Sequence, residues 1–524
     1  MSGIVFEGGR IHVGDGTSAE ALFARDGRVV TVGRRDEVRR EAGGAEVVDL
    51  RGGLMVPGWF DAHVHFVWWA QQMARLDIAN TTTLEQALDR IAAFVRGLPD
   101  GAWLLGGRFD KNSWGRWPTA VDLDGVTAGH PAVLRSRDGH SRWLNSAAIA
   151  RAGITRDTAV PEGGAIFRDD RGEATGVLQE NANGLADAVI PPPTDDEMLA
   201  DARRGQTEAW RRGITGLEDL DQFMGRSPVA VLARMRDAGE LAIRVHMGIP
   251  HARLADALEQ RMRTGEGDEW LRTGHLKIFT DGALGSQTAA LEEPYEGSRD
   301  RGILTIEPGQ LAHDVALAAG AGIAVAIHAI GDRAVHVALD AIEPTRATAP
   351  RLRQKIEHVQ LVRADDLARF GALGVVASMQ PIHATSDRDL ADRYWGASRV
   401  ARAYPWRTLR RTGAVLAFGS DAPVEPIDPL LGIHAAVTRR RPQDDDAWRP
   451  EQRLTLDEAL AGYAAGPAYA MLSERFAGTL RVGMRCDATV VDRDLARCSE
   501  DELLEACVRA TVTDGVVRFA DGLG

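Results

Sequence analysis

Residues 275–281 read HLKIFTD, residues 310–322 read QLAHDVALAAGAG, and residues 322–330 read GIAVAIHAI. The first and last segments are short apolar runs typical of buried strands, and the middle segment is typical of a helix. Strand, helix and strand in this order predict two parallel strands joined by a crossover helix.

The same alternation continues along most of the chain. The segments predicted as strands are LMVPGWF (54–60), ITGLEDL (214–220), AIRVHMGI (242–249), HLKIFTD (275–281), GIAVAIHAI (322–330), KIEHV (355–359), GVVASMQ (374–380) and AVLAFGSD (414–421). Eight strands alternating with helices indicate an α/β protein whose parallel sheet closes into a (β/α)8 TIM barrel.

The two chain ends have a different pattern. Residues 23–33 (FARDGRVVTVG) and 510–522 (ATVTDGVVRFADG) are rich in valine and threonine, and each contains an Asp-Gly turn between short apolar runs. This pattern is typical of β-hairpins. Because neither end is long enough to fold alone, we expect residues 1–57 and 475–524 to form one β-sandwich.

A long segment interrupts the barrel pattern after its first strand. It contains a predicted helix at 84–96 and a predicted hairpin at 163–180, and it ends before a capping box of Thr194 and Glu197. We therefore interpret 80–193 as an α/β insertion capping the barrel mouth. The barrel itself is then expected to comprise 58–79 and 194–474.

Composition narrows the class of protein. The 524 residues are 44% hydrophobic and 26% charged, and 75 acidic against 62 basic side chains give a net charge of −13. These fractions are typical of a globular protein, and the acidic balance argues against nucleic acid or an anionic membrane as a partner. The expected partner is a small-molecule substrate, and a homodimer is left open.

Cysteine usage and the N-terminal sequence favour the cytoplasm. Three cysteines, Cys486, Cys498 and Cys507, cannot form an even set of disulfides, which favours a reducing compartment. The first residues, MSGIVFEGGRIHVGDG, have neither the basic nor the apolar segment of a secretory signal. The longest apolar stretch, 315–330, is too short for a membrane span.

Histidines near the ends of predicted strands are candidate metal ligands. His63 and His65 occupy alternate positions after the first strand, so both imidazoles point the same way, toward the active-site mouth of a barrel. Two convergent imidazoles suit Zn²⁺ or a similar metal, and the alternative is a pair of hydrogen-bonded surface histidines. Four further histidines also lie near strand ends, where position alone does not separate them: His246, His328, His358 and His383.

Two charged residues on later strands are also candidates. Asp421 ends the last strand, where a carboxylate can bind a metal and accept a proton from bound water; an Asp-Ala-Pro turn is the alternative. Lys277 lies inside an apolar strand, and burial lowers the pKa of a lysine amine. A neutral amine can react with CO2 to give a carbamate that bridges two metals. The alternative is an ion pair with Asp281 or a neighbouring glutamate.

Several longer motifs carry a resemblance to a known family. They are VPGWFDAHVHF (56–66), DGHSRWLNSAAI (138–149), LKIFTDGALGSQTAAL (276–291), AIHAIGDRAV (326–335), KIEHVQLV (355–362), SMQPIHATSD (378–387) and FGSDAPVEPIDPLLGIHAAVTR (418–439). In these motifs the chain resembles the amidohydrolase superfamily, in particular the amidohydrolase 3 group of YtcJ-like and N-substituted formamide deformylase-like proteins. The resemblance implies a (β/α)8 barrel and a β-sandwich built from both termini, in agreement with the strand pattern.

The resemblance also implies a metal site for one or two divalent cations, Zn²⁺ foremost, with other transition metals as alternatives. The implied ligands are His63, His65, Lys277, His328, His358 and Asp421. His63 and His65 would hold the more buried metal, and His328 with His358 the other. Lys277, carboxylated by CO2, would bridge the two.

This site predicts a hydrolase that cleaves a carbon–nitrogen bond, that of an amide or formamide, with metal-activated water. Asp421 would take the proton of that water and pass it to the leaving nitrogen. His140 resembles the group's histidine near the substrate and is the second catalytic candidate. An ester, a lactone, a cyclic amide or an N-acyl amino acid would suit the same site.

Tryptophans are concentrated around the insertion. Seven of the twelve fall between Trp59 and Trp143. They indicate either packing of the insertion or an apolar pocket for an acyl group or N-substituent. The predicted substrate contacts are Trp114, Trp117, Asp281 and His383.

Two other classes of protein stay open from the sequence. Gly320-Ala321-Gly322 resembles part of a dinucleotide-binding turn of an oxidoreductase, but Val325 replaces the third glycine and the turn precedes a strand. An inactive scaffold on the same fold is the other alternative, and it would purify without stoichiometric metal.

Overall fold

The chain forms two compact units. The computed structural model describes residues 3–14, 16–136, 141–161, 164–220 and 228–523. One unit comprises Met1–Trp69 with Ala202–Gly524, and the other comprises Ala70–Asp201. We refer to them as the barrel unit and the insertion unit. The finer boundaries expected at 57, 79, 193 and 475 stay predictions.

Eight parallel strands form the barrel. They are β1 (Trp59–Val64), β2 (Ile214–Asp219), β3 (Arg244–Pro250), β4 (Leu271–Phe279), β5 (Val325–Ala329), β6 (Lys355–His358), β7 (Val376–Met379) and β8 (Leu416–Phe418), each paired with the next. Just beyond β8, the Asp421 amide donates to the His63 carbonyl (2.7 Å) and the His65 amide donates to the Ala422 carbonyl (2.9 Å). These bonds bring the two edge strands together, and the predicted (β/α)8 barrel is confirmed.

Helices alternate with the barrel strands, as a parallel sheet requires. The barrel unit contains one helix that precedes the barrel and packs on the terminal sheet, Arg35–Ala42. Its other helices are Val229–Asp237, Leu254–Glu259, Pro308–Gly320, Asp332–Ile342, Thr345–Thr348, Leu367–Leu373, Pro381–Ser386, Arg388–Trp395, Ala397–Val400, Trp406–Arg411, Pro429–Thr438, Leu456–Gly462 and Ala465–Ala470, with short 3₁₀ helices at His251–Arg253, Ala364–Asp366, Pro450–Gln452 and Leu495–Arg497. Two more helices, Phe66–Met73 and Asp195–Arg211, contain the points where the chain passes from one unit to the other. The second begins at the predicted capping box, in which the Glu197 amide donates to Thr194 Oγ1 (3.2 Å) and the Thr194 amide donates to Glu197 Oε2 (2.7 Å).

Both chain ends contribute to one eight-stranded sheet, as predicted. Its strands are Ile4–His12, Ser18–Arg25, Arg28–Gly33, Glu46–Asp49, Leu54–Pro57, Ala488–Val491, Val508–Thr513 and Val516–Ala520. The N-terminal and C-terminal parts join where Leu54–Pro57 pairs antiparallel with Ala488–Val491. Apolar side chains from both parts, including Phe6, Met55 and Val490, pack into a common core.

The first predicted strand, 54–60, is wrong as a single element. Leu54–Pro57 belongs to the terminal sheet, and β1 begins at Trp59. At the junction the Gly58 amide donates to the Asp487 carbonyl (2.8 Å), and a Cβ on Gly58 would lie 2.3 Å from Thr215 Oγ1. Glycine at position 58 therefore lets the chain cross from the terminal sheet to the barrel. β1 extends through His63, whereas the sequence pattern predicts His63 after the end of the strand.

The insertion unit contains a six-stranded mixed sheet. Its strands, in sheet order, are Gly164–Arg168, Ala174–Glu180, Ser141–Leu144, Ala132–Ser136, Leu104–Phe109 and Leu76–Asp77. The first two form the predicted hairpin. The helices are Leu84–Val95, Lys111–Trp114, Ala120–Asp124, Ser146–Arg151 and Asn183–Asp187, the first of them as predicted. The α/β insertion is confirmed, whereas its position over the barrel mouth stays a prediction.

Three further expectations can be compared with the structure. Gly320 ends a helix and Gly322, with φ of +85°, turns the chain into β5, so these glycines terminate a helix rather than open one. All three cysteines are free. In the described parts of the chain, no helix combines the length and apolar character needed to cross a bilayer.

Candidate metal centre

The histidines of the first strand meet Asp421 at the carboxyl end of the barrel. The Nε2 atoms of His63 and His65 lie 3.3 and 3.4 Å from Asp421 Oδ1. One potential ligand atom from each of the three residues lies within 4.8 Å of the other two, and all three residues are buried. This spacing allows a single cation to contact two imidazoles and one carboxylate.

A second group of potential ligands shares the same aspartate. His358, His383 and Asp421 also bring one ligand atom each within 4.8 Å of the others. His383 Nε2 lies 3.7 Å from Asp421 Oδ2. The ring of His328 packs against His358 with their centroids 4.5 Å apart. His383, predicted as a substrate contact, thus lies among the candidate ligands.

His383 indicates that a metal fits this arrangement. Both of its ring nitrogens are buried, and neither has a hydrogen-bond partner among the described residues. Leaving a buried nitrogen unpaired costs about 1–3 kcal/mol. A cation beside Asp421 would satisfy one of these nitrogens, and the imidazole and carboxylate donors around it are those that Zn²⁺ prefers.

Hydrogen bonds on the far side of two imidazoles determine which nitrogen faces the centre. His63 Nδ1 lies 2.7 Å from Glu357 Oε2, and His358 Nδ1 lies 2.9 Å from Gln380 Oε1. Both oxygens accept, so in each ring Nδ1 donates and Nε2 keeps its lone pair. This is the usual arrangement of a histidine that binds a metal.

Burial keeps the imidazoles of His63 and His328 neutral. Burial, reinforced by the charge of Lys277, lowers the pKa of His63 to about 4 and that of His328 to about 3. A neutral imidazole is the form that binds a metal. Burial raises the pKa of Asp421, whereas positive charge on the facing histidines, His63 foremost, holds that pKa well below its usual range. With the imidazoles neutral, a bound cation would supply that positive charge and keep the carboxylate ionised.

Lys277 is buried within β4, as predicted, with 1% of its surface exposed. Burial, helped by the charge of Lys355, lowers the pKa of the Lys277 amine to about 8, although the carboxylates of Glu357 and Asp421 oppose the shift. A pKa near 8 leaves part of the amine neutral at neutral pH and therefore nucleophilic.

Asp281 is buried and held by three backbone amides. Its carboxylate accepts hydrogen bonds from the amides of Ala290 (2.9 Å), Ile330 (3.1 Å) and Gly331 (2.8 Å). These bonds connect the segments that follow β4 and β5, and Asp281 Oδ1 lies 3.4 Å from His328 Nε2. The geometry makes Asp281 a brace beside a candidate ligand; its predicted substrate contact stays a prediction.

The backbone is constrained at two candidate ligands. His358 and Asp421 have φ of +71° and +60°, in the left-handed region, which costs a non-glycine residue on the order of 1–3 kcal/mol. Gly419 permits the close approach of β8 to β1, since a Cβ there would lie 2.5 Å from the His63 amide nitrogen. Such conformations concentrate at functional sites.

Four other residues that the sequence analysis singled out are His140, His246, Trp114 and Trp117. His140 is outside the described residues. His246, left open by the sequence, is buried with its Nε2 3.0 Å from Ser473 Oγ. Trp114 and Trp117 pack in the insertion unit, where the Trp114 ring contacts Phe109 with their centroids 5.8 Å apart.

Sequence reasoning missed the side chains that support the ligands. Glu357 precedes His358 in KIEHV, and the presence of the charged residues Lys355 and Glu357 on one face of a strand predicted to be buried was an available signal. Trp68, half-buried one turn from His65 with ring centroids 5.6 Å apart, was counted among the tryptophans but not singled out.

Fold and centre together define a metal-dependent hydrolase of TIM-barrel architecture. Residues 46–519 match the amidohydrolase family, and the chain belongs to that family. The expected amidohydrolase resemblance is thereby confirmed.

Individual relatives are similar over nearly the whole chain. The chain is 30% identical to the Bacillus subtilis (strain 168) protein YtcJ over 530 residues, which cover 98% of this chain and 99% of that protein. It is 29% identical to N-substituted formamide deformylase of Arthrobacter pascens over 520 residues, covering 96% and 95%. A crystal structure of an uncharacterized metal-dependent hydrolase from Pyrococcus horikoshii matches with a TM-score of 0.80 at 27% identity, over 95% of this chain and 99% of that chain.

Proposed function

We propose that this protein hydrolyses the carbon–nitrogen bond of a small amide or formamide with metal-activated water. The observation that carries the proposal is the convergence of His63, His65 and Asp421 at the barrel mouth, with ligand atoms within 4.8 Å of one another. Similarity to N-substituted formamide deformylase supports formamides as the first substrates to test.

We propose that seven side chains hold one or two divalent metals, Zn²⁺ foremost. Six are those that the family resemblance implies, and the seventh is His383. They are His63, His65, Lys277, His328, His358, His383 and Asp421. Bound there, the metal would supply a water of lowered pKa and a Lewis acid for the substrate carbonyl. The chain's part is to present the imidazoles and the Asp421 carboxylate in a fixed geometry.

Lys277 is proposed to enter the centre as a carbamate. Its neutral amine attacks the carbon of CO2: a nitrogen–carbon bond forms, the electron pair of one C=O π bond moves onto oxygen, and the nitrogen releases one proton to solvent. The neutral amine thereby becomes an anionic oxygen ligand. Its position inside an apolar strand, and its lowered pKa, support this chemistry.

Asp421 is proposed to move the proton. Asp421 Oδ1 faces the Nε2 atoms of His63 and His65, while Oδ2 is directed toward His383. An ionised carboxylate in this position can accept the proton of the attacking water and give it to the leaving nitrogen, so that the amine departs neutral. Esters, lactones, cyclic amides and N-acyl amino acids are alternative substrates, since each offers a carbonyl carbon and a leaving group that needs a proton.

Removal of the metal is expected to abolish hydrolysis. Loss of several kcal/mol of charge stabilisation corresponds to a fall in kcat on the order of 10³-fold, restored by added Zn²⁺. The measurement is hydrolysis of a panel of formamides, amides, esters, lactones and N-acyl amino acids, with metal quantified per chain. The doubly substituted variant His63→Asn, His65→Asn is the control and should stay inactive after Zn²⁺ addition. Wild-type protein that never takes up stoichiometric metal would instead favour the inactive scaffold.

We also propose that tryptophans of the insertion unit set substrate preference. Trp117→Ala and Trp114→Ala are expected to shift kcat/KM between substrates of different apolar bulk by about 1–3 kcal/mol, with metal content unchanged. Trp114→Ala should also lower the melting temperature more than Trp117→Ala does, because the Trp114 Nε1 donates to the Thr81 carbonyl (3.2 Å). Identical relative rates across the panel, with only stability lost, would establish packing as the role of both.

A further inference from the structure

A chain of buried charges crosses the barrel interior behind His63. Lys355 Nζ lies 2.7 Å from Glu218 Oε2 and 2.7 Å from Glu357 Oε1, and all three side chains are fully buried. The same Nζ donates to the Ala62 carbonyl at 2.9 Å. Glu218 is on β2 and Lys355 on β6, which are not neighbours in the sheet, so the contact spans the barrel. Barrel interiors are usually filled by aliphatic side chains at such positions.

Lys355 lies between two glutamate–histidine pairs. Glu218 Oε1 lies 2.7 Å from His275 Nδ1, and Glu357 Oε2 lies 2.7 Å from His63 Nδ1. The two pairs differ in what the second ring nitrogen faces. His275 Nε2 lies 3.0 Å from the Arg353 carbonyl, whereas His63 Nε2 lies 3.3 Å from Asp421 Oδ1 in the candidate metal centre.

We propose that Glu357, held in place by Lys355, is the positioning residue of His63 and sets how tightly the centre holds its metal. The proposal rests on the proposed function, because it presupposes a metal at His63. One oxygen of Glu357 is occupied by Lys355, so the other has a fixed direction. That oxygen accepts from Nδ1, which orients the ring, keeps the lone pair on Nε2 and makes the imidazole a stronger ligand.

The cost of this network supports a role beyond stability. Removing two carboxylates and an ammonium from water is unfavourable, and apolar residues of similar volume often stabilise a fold as well or better. Glu218 and Glu357 both face Lys355, so the ammonium by itself does not distinguish their roles. What Glu357 adds, and Glu218 does not, is the contact to His63.

The test compares Glu357→Gln with its matched control Glu218→Gln in the zinc-loaded full chain. Each substitution leaves Lys355 with one glutamate, and Glu218→Gln should lose at least as much melting temperature, because Glu218 Oε1 also accepts a hydrogen bond from the His275 amide (3.0 Å). Zinc affinity, measured by competition with a chelator, is expected to fall about 10–100-fold in Glu357→Gln, the usual effect of losing the partner of a ligating histidine. In Glu218→Gln it should fall less than about threefold. Saturating Zn²⁺ should restore most of kcat to Glu357→Gln.

Equal zinc affinities in the two variants would overturn the inference. If either glutamine variant does not fold, Glu357→Asp and Glu218→Asp replace the pair, since aspartate keeps the charge but withdraws the oxygen from its histidine. Wild-type protein that binds no stoichiometric zinc would overturn the proposed function and this inference together. If the wild-type protein binds zinc and the two variants bind it with equal affinity, this inference alone would be overturned.

Discussion

Lys277→Ala is expected to lose most of its metal and to lower kcat/KM on the order of 10³-fold, the scale of losing metal catalysis. Lys277 lies inside β4 with 1% of its surface exposed, and alanine has no group that can reach the centre. The fold itself should persist, because burial disfavours the charged form of this amine and alanine avoids that cost. Metal quantification, kinetics and thermal unfolding of the metal-free proteins measure the three effects separately.

Chemical rescue separates a ligand from a structural lysine. Short carboxylic acids such as propionate should partly restore metal content and activity to Lys277→Ala, because they can supply the oxygen ligands that the carbamate supplied. The same acids should leave the wild type unchanged. A high-resolution map of an unmodified amine, from protein prepared with bicarbonate and metal, would contradict the carbamate.

The architecture could be predicted because its signals are local in the sequence. Seven of the eight predicted barrel strands recur close to their predicted positions, since a buried parallel strand is an apolar run with clear ends. The exception is 54–60, where two strands of different sheets follow each other across Gly58. That break depends on Thr215, far away in the sequence, and no local pattern indicates it.

The candidate centre could be predicted only in part, for the same reason. His63 and His65 share a face because of strand periodicity, which is local. The choice of His328 and His358 came from family resemblance, and the inclusion of His383 came from the three-dimensional approach of its Nε2 to Asp421. Contacts between distant strands lie beyond any pattern in a single sequence.

The supporting network illustrates this limit most clearly. Lys355 contacts Glu218, which lies 137 positions earlier in the chain, and Glu357 contacts His63 across the barrel. Strand alternation predicts that Lys355 and Glu357 share a face, but not which side chains they meet. These contacts form only when the barrel closes, so only the structure identifies them.

Asp421→Asn is expected to keep much of its metal while kcat falls by about 10² or more, the scale of losing general acid–base help. An asparagine Oδ1 can still face the Nε2 atoms of His63 and His65, now 3.3 and 3.4 Å away, but the amide cannot carry a proton. The fold should tolerate the change, because asparagine readily adopts the φ of +60° found here, whereas alanine would add strain. Steady-state kinetics with metal quantified in the same samples tests the prediction.

Glu425→Gln is the matched control, because it makes the same change from acid to amide four positions further along the loop. The Glu425 carboxylate accepts a hydrogen bond from Ser386 Oγ (2.5 Å), outside both groups of candidate ligands, so kcat should stay near the wild-type value. If Asp421→Asn also stayed near the wild-type value, the base would lie elsewhere. His383 would then be first in line, since its Nε2 lies 3.7 Å from Asp421 Oδ2, with His140 next. The expected result is that kcat falls strongly in Asp421→Asn and not in Glu425→Gln, while both variants keep their metal. Such a result would show that Asp421 transfers a proton in addition to binding the metal.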